Sequence, residues 1–224
     1  MSRVFLISTS YQHVYQRINV MKSGVVQPPL GLAYIAAFLK QRGHAVNLFD
    51  GMFSRDLFKD IETRLADFQP DFVGITATTP EVKNASHIAA FIRRMRPDAT
   101  IVMGGSHVSA LPERTMVEIP EVDIVVVGEG EITMSEIVER KKWEEILGIC
   151  YRRDGKIISN GLRPLVEDLD SIPFPLWEQL PVKKYSYFPE NCIGISGGRG
   201  CPYRCSFCAS AVINRCRYRT RSPG

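Results

Sequence analysis

The chain has 224 residues, 45% of them hydrophobic and 23% charged, with 28 Lys and Arg against 24 Asp and Glu. That is enough apolar material for one full domain and part of a second. No apolar run approaches the roughly eighteen residues of a membrane span, and Met1 to Ile7 is too short for a signal peptide, so no transmembrane segment and a cytoplasmic location are expected.

Val4-Phe5-Leu6-Ile7 predicts a buried strand feeding a polar loop from Ser8 to about Gln27. After Pro28 and Pro29, residues Leu32, Ile35, Ala36 and Leu39 share one face of a helix that Gly43 is placed to end. Ala45 to Phe49 is the second strand, ending at Asp50, and a helix follows over about Leu57 to Phe68. Phe72-Val73-Gly74-Ile75 runs into Thr76-Ala77-Thr78-Thr79, and Pro80 suits the first turn of a helix reaching Met95. Thr100-Ile101-Val102-Met103 precedes Gly104-Gly105-Ser106-His107 and a short helix near Pro112. Ile124 to Val127 is the fifth strand, followed by Gly128-Glu129-Gly130-Glu131 and a helix through Ile137 and Val138.

Five apolar strands alternating with amphipathic helices imply an α/β fold with a parallel sheet covered on both faces. Right-handed crossovers then bring every loop after a strand to one edge, where open α/β sheets bind ligands. An incomplete Gly-x-Gly-x-x-Gly, displaced from the first strand, disfavours a dinucleotide site.

After Arg140 the rhythm breaks. Ile149 to Arg152 and Lys156 to Ser159 predict a hairpin. Pro164, Pro173, Pro175, Pro181 and Pro189 mark an extended linker packed through Leu169, Ile172, Phe174 and Trp177. Asn191 to Ser196 predicts a new strand, from which a glycine-rich loop hangs. The expected division is a sheet domain over 1–145, a hairpin and linker over 146–190, and the start of a second domain over 191–224.

All six cysteines lie in the last third, which in a reducing compartment favours metal binding over disulfides. Cys201, Cys205 and Cys208 have the spacing Cys-x3-Cys-x2-Cys. A zinc site completed by Cys216, buried thiols, or an iron-sulfur cluster with one open iron would each use such a set. Six arginines and no Asp or Glu fall in the last 26 residues, which predicts a locally paired or solvated tail before a nucleic-acid surface.

Gly198-Arg199-Gly200-Cys201-Pro202-Tyr203-Arg204-Cys205-Ser206-Phe207-Cys208 resembles the cluster loop of the radical S-adenosylmethionine superfamily. The resemblance implies that Cys201, Cys205 and Cys208 ligate a [4Fe-4S] cluster whose open iron takes S-adenosylmethionine, with Phe207 near the adenine; Cys192 and Cys216 match no ligand position. The segments Pro28 to Ala36, Gly43 to Val46, Gly104 to His107, Val127 to Glu131 and Asp168 to Pro175 are similar to the cobalamin-binding domain of the B12-dependent branch. A five-stranded, parallel, Rossmann-like (flavodoxin-like) domain is implied, followed by the first strand and cluster loop of a truncated (β/α)6 partial barrel.

By this resemblance the cobalamin contacts are Thr76, Thr78, Thr79, Gly104, Gly105, Ser106, His107, Gly128, Glu129 and Gly130, since a corrinoid needs a broad edge of backbone, small residues and hydroxyls. The Asp-x-His-x-x-Gly motif that supplies a lower cobalt ligand in related domains is absent, and His13 lacks its flanking residues. His44 is expected in a turn and His87 on a helix surface.

The implied activity is reductive cleavage of S-adenosylmethionine coupled to methyl transfer to an unactivated carbon or phosphorus. A small-molecule substrate and an electron donor such as flavodoxin or ferredoxin are implied with it. The alternatives are a stand-alone corrinoid-binding module and a cyclase or RNA-modifying enzyme. With only the beginning of the barrel present, the chain by itself is expected to be inactive.

Overall fold

The structure is a computed structural model that describes residues 1–9, 27–185 and 194–223. His13 and Cys192 lie outside the described residues, as does most of the loop after the first strand.

The five expected strands are present as β1 (Arg3–Ser8), β2 (Ala45–Asp50), β3 (Phe72–Thr76), β4 (Thr100–Gly104) and β5 (Ile124–Val126). They pair in parallel in the order β2-β1-β3-β4-β5. The hairpin, β6 (Ile149–Arg153) and β7 (Lys156–Ser159), continues the same sheet antiparallel to β5, giving seven strands.

Side-chain alternation along β1 sets up the two faces of the sheet. Val4 and Leu6 pack with Leu32, Ala36 and Leu39 of α1 (Leu30–Gln41) and with Met134 and Ile137 of α6 (Glu131–Val138). Phe5 and Ile7 pack on the opposite side with Ile61 and Leu65 of α2 (Leu57–Phe68), Ile88 and Ile92 of α3 (Val82–Met95) and Met116 of α5 (Pro112–Glu118). Each such fully buried aliphatic side chain contributes on the order of 2 kcal/mol of transfer free energy.

The helix ends follow local chemistry. Asp56 caps α2 by accepting from the Lys59 N–H at 3.2 Å. Ahead of α3, one Glu81 carboxylate oxygen accepts from the Thr78 N–H at 3.0 Å and from its hydroxyl at 2.6 Å. A short α4 (Ser106–Ala110), not anticipated from the sequence, starts directly after β4.

Two further expectations are corrected. Gly194 to Ser196 is not a strand; the chain pairs two residues later, as β8 (Gly198–Arg199) with β9 (Arg219–Thr220), around α7 (Ser210–Ile213). In the proline-rich linker Leu169 and Ile172 are buried as expected and Trp177 is partly buried, but Phe174 is exposed, with the Arg221 guanidinium 5.1 Å from its ring centroid. Among the described residues no helix is long and apolar enough to cross a membrane.

Candidate functional site

The loop after β1 leads into α1 on one face of the sheet and the loop after β3 into α3 on the other, so the two loops part. A cleft of about 680 Å³ opens there, at the carboxyl edge. Its wall runs through Ser8 and Thr9 after β1, Pro28 to Gly31 at the start of α1, Asp50 and Met52 after β2, and Thr76, Thr78 and Glu81 after β3. Gly104 and Gly105 after β4, Gly128 to Glu131 after β5, and Ser196 and Arg199 from the C-terminal segment complete it.

Seven of the ten residues expected to contact a corrinoid therefore line one cleft: Thr76, Thr78, Gly104, Gly105, Gly128, Glu129 and Gly130. Thr79, Ser106 and His107 are not on its wall. Thr79 and Ser106 are exposed, whereas His107 is buried with its Nδ1 3.2 Å from the Thr79 hydroxyl. For Ser106 and His107 the cause is the turn into α4, which carries the chain away from the cleft after Gly105. Outside the expected contacts, His87 is exposed and His44 lies just before β2, accepting from the Ser2 N–H at 3.4 Å.

Gly105 has φ 108°, and a Cβ there would lie 2.5 Å from the Ala77 carbonyl oxygen. Only glycine lets the end of β4 press against the loop after β3. Gly128, at φ 85°, has no atom within 4 Å of the position a Cβ would take, so its backbone borders open space.

The cleft is acidic, which the sequence reading did not anticipate. Asp50, only 7% exposed, accepts from the Tyr185 hydroxyl at 2.7 Å and from the Met52 N–H at 3.0 Å. Burial raises its carboxyl above the ordinary value, and the hydrogen bonds only partly offset that. Burial also pushes Glu129 upward, but hydrogen bonds from Arg219 and the Val166 N–H, with the charges of Arg219 and Arg199, outweigh it and hold the carboxyl below its usual range.

Arg199 bridges two of these acids, donating to Glu129 at 3.2 Å and to Glu131 at 2.6 Å. Arg217 pairs with Glu167, and Arg221 lies 4.0 Å from Asp170, so the acid-free tail is locally paired, as its charge pattern suggested. The Tyr34 hydroxyl accepts from the Ser196 N–H at 2.9 Å, adding a contact from α1. The legible signal for this cluster was Glu129 and Glu131 between a strand and a helix, opposite a tail that had to find acids.

Cys201 is partly buried and Cys205 and Cys208 are exposed, all as free thiols. The Cys208 N–H donates to the Cys205 carbonyl at 3.1 Å, and Phe207 is 91% exposed. Among the described residues no three His, Cys, Asp or Glu are gathered as a metal site.

A family profile described as B12 binding domain matches residues 16–138. The chain belongs to the B12-binding domain family. This B12-binding domain protein is 38% identical over 203 residues to an uncharacterized methyltransferase of Pyrococcus horikoshii, covering 89% of this chain and 44% of that protein. It is 34% identical over 207 residues to an anaerobic magnesium-protoporphyrin IX monomethyl ester cyclase of Rubrivivax gelatinosus, covering 88% and 37%.

Among solved structures, the cobalamin-dependent S-adenosylmethionine radical enzyme OxsB, with aqua-cobalamin and S-adenosylmethionine bound, superposes with a TM-score of 0.80 at 22% identity. It covers 99% of this chain and 30% of that one. The radical S-adenosylmethionine methyltransferase TsrM of Kitasatospora setae, with cobalamin and a [4Fe-4S] cluster bound, superposes at 0.69 and 22% identity, covering 99% and 44%. These likenesses show a shared fold. The chain spans less than half the length of these proteins.

Proposed function

We propose that the cleft binds a corrinoid, and that the longer protein transfers a methyl group to an unactivated carbon or phosphorus of a small molecule. The observation that carries this is the cleft itself, opened at the switch point and bordered by the ends of all five parallel strands. Its residues suit a large ring with a polar fringe. Gly104, Gly128 and Gly130 bring backbone close, Thr76 and Thr78 supply hydroxyls, and Leu6, Ile75, Val102 and Met134 supply an apolar floor.

When bound, the corrinoid supplies a methyl carrier, and a [4Fe-4S] cluster with S-adenosylmethionine supplies a radical. This chain's residues bind and orient. Arg199, held by Glu129 and Glu131, keeps the start of the cysteine loop at the cleft rim, where it shields the ligand from water.

Cys201, Cys205 and Cys208 are proposed as cluster ligands, supported by the donor set of three free thiols on one loop. A flavodoxin- or ferredoxin-like electron donor belongs to the same proposal. Anaerobic incubation with hydroxocobalamin, iron and sulfide followed by gel filtration tests both parts separately. One equivalent of co-eluting corrinoid supports the cleft, and iron and sulfide lost on replacing the three cysteines by Ala support the ligand set. Corrinoid eluting only in the late, small-molecule fractions would reject the cleft.

Ring formation is a second reading, favoured by the 34% identical relative named as a cyclase. Product mass separates the two, since methyl transfer adds one CH2 and ring closure does not.

A further inference from the structure

Glu131 opens α6 and is 3% exposed. Its Oε1 accepts from Arg199 at 2.6 Å. Its Oε2 is buried with no hydrogen-bond partner among the described residues, although the residue lines the cleft. The Thr9 hydroxyl, on the cleft wall just after β1, is buried and unpartnered in the same sense. Buried polar atoms are nearly always satisfied, and a carboxylate oxygen is an acceptor only. What completes Glu131 is therefore an N–H or O–H donor arriving in the cleft.

The rest of the wall narrows its chemistry. Asp50, Glu81, Glu129 and Glu131 line the cleft, and Arg199 is the cationic side chain among its described lining residues. Arg199 is already engaged by both Glu129 and Glu131. Among the described lining residues a phosphate or carboxylate on the ligand would face like charge with no free guanidinium to answer it. A neutral carboxamide donates without adding negative charge.

We propose that Glu131 is a recognition residue that accepts, through Oε2, a hydrogen bond from one peripheral carboxamide N–H of the corrinoid, and so selects amidated over carboxylate corrinoids. The assignment rests on the reading of the cleft as a corrinoid site and names the group that this site reads. The contact couples selection to the rim, because the same carboxylate holds Arg199 through its other oxygen.

The test uses cyanocobalamin and its monocarboxylic acids, in each of which a single peripheral carboxamide is hydrolysed. Binding is followed by corrinoid absorbance after equilibrium dialysis. Wild type is expected to bind one isomer at least about tenfold more weakly than the parent, the cost of presenting a carboxylate to a buried acceptor. In Glu131→Gln that gap closes for the same isomer while the others keep their wild-type order. In Arg199→Met the gap persists, because the carboxylate remains, which separates recognition from loss of the ion pair. Equal binding of every isomer by wild type, or an unchanged gap in Glu131→Gln, overturns the proposal. Failure of wild type to bind the parent corrinoid rejects the cleft assignment instead.

Discussion

Arg219 grips Glu129 through both carboxylate oxygens, at 2.9 and 3.0 Å, although the two residues lie 90 positions apart. Their side chains are 5% and 12% exposed, and Arg219 also donates to the Val166 carbonyl at 2.6 Å. The paired fork is the strong geometry for this ion pair. It fastens the segment that carries the cysteines to the loop after β5.

Arg219→Met leaves Glu129 buried with only the longer contact to Arg199 and the Val166 N–H. Stripping one partner from a buried pair is expected to cost about 3 kcal/mol, read from urea unfolding. Glu129→Gln in the same background should restore part of the loss, and two independent, additive losses would contradict the pairing.

Glu129 and Asp50 are expected to respond to pH in opposite directions. The Glu129 carboxyl sits below its unfolded value, so its stabilisation is present above that value, about pH 4.3, and is lost as pH falls through the folded one. Protection factors for hydrogen exchange at the amides of 194–223 should fall in acid, and Glu129→Gln should flatten that response.

Asp50 sits above its ordinary value, so the folded state favours its protonated form and stability declines as pH rises through the folded value. Asp50→Asn should therefore gain on wild type progressively over the pH range above the unfolded value of about 4. A difference in unfolding free energy that is constant across this range contradicts the shift.

The two positive-φ glycines of the cleft edge should differ in cost. Gly105→Ala brings a Cβ to 2.5 Å from the Ala77 carbonyl and should destabilise by about 2 kcal/mol or more, adding a backbone clash to left-handed strain. Gly128→Ala meets open space and pays about 1 kcal/mol of strain alone. Equal melting temperatures for the two variants would contradict this placement.

The sheet was legible because each parallel strand is a short apolar run with a turn signal behind it and a helical period after it. α2 falls at Leu57–Phe68, as its Ile61, Leu65 and Phe68 spacing indicated. The glycine and threonine edge was legible for the same reason, since strand ends in such a fold share one side. What sequence could not show is pairing across distance. Asp50 meets Tyr185 across 135 positions and Arg199 meets Glu131 across 68, and no local pattern encodes either. His107 was misplaced with respect to the cleft because two glycines in a row conceal where the helix begins; Gly105 turns and Ser106 already starts α4. The run Ile193-Gly194-Ile195 reads as strand by composition, yet Ile195 is exposed and its neighbour Ser196 is fixed by Tyr34 instead.

Gly31 gives the most direct test of the cleft as a corrinoid site. It lies on the wall, in the first turn of α1, and a Cβ there would have no atom within 4 Å. Gly31→Trp should fill the cleft without disturbing the core, because the residue is exposed and tryptophan is a better helix former than glycine. Titrated with hydroxocobalamin and followed by corrinoid absorbance, wild type should saturate at one equivalent, while Gly31→Trp, melting at the wild-type temperature, should show almost no bound corrinoid. Undiminished binding by Gly31→Trp, or none by wild type, would contradict the account.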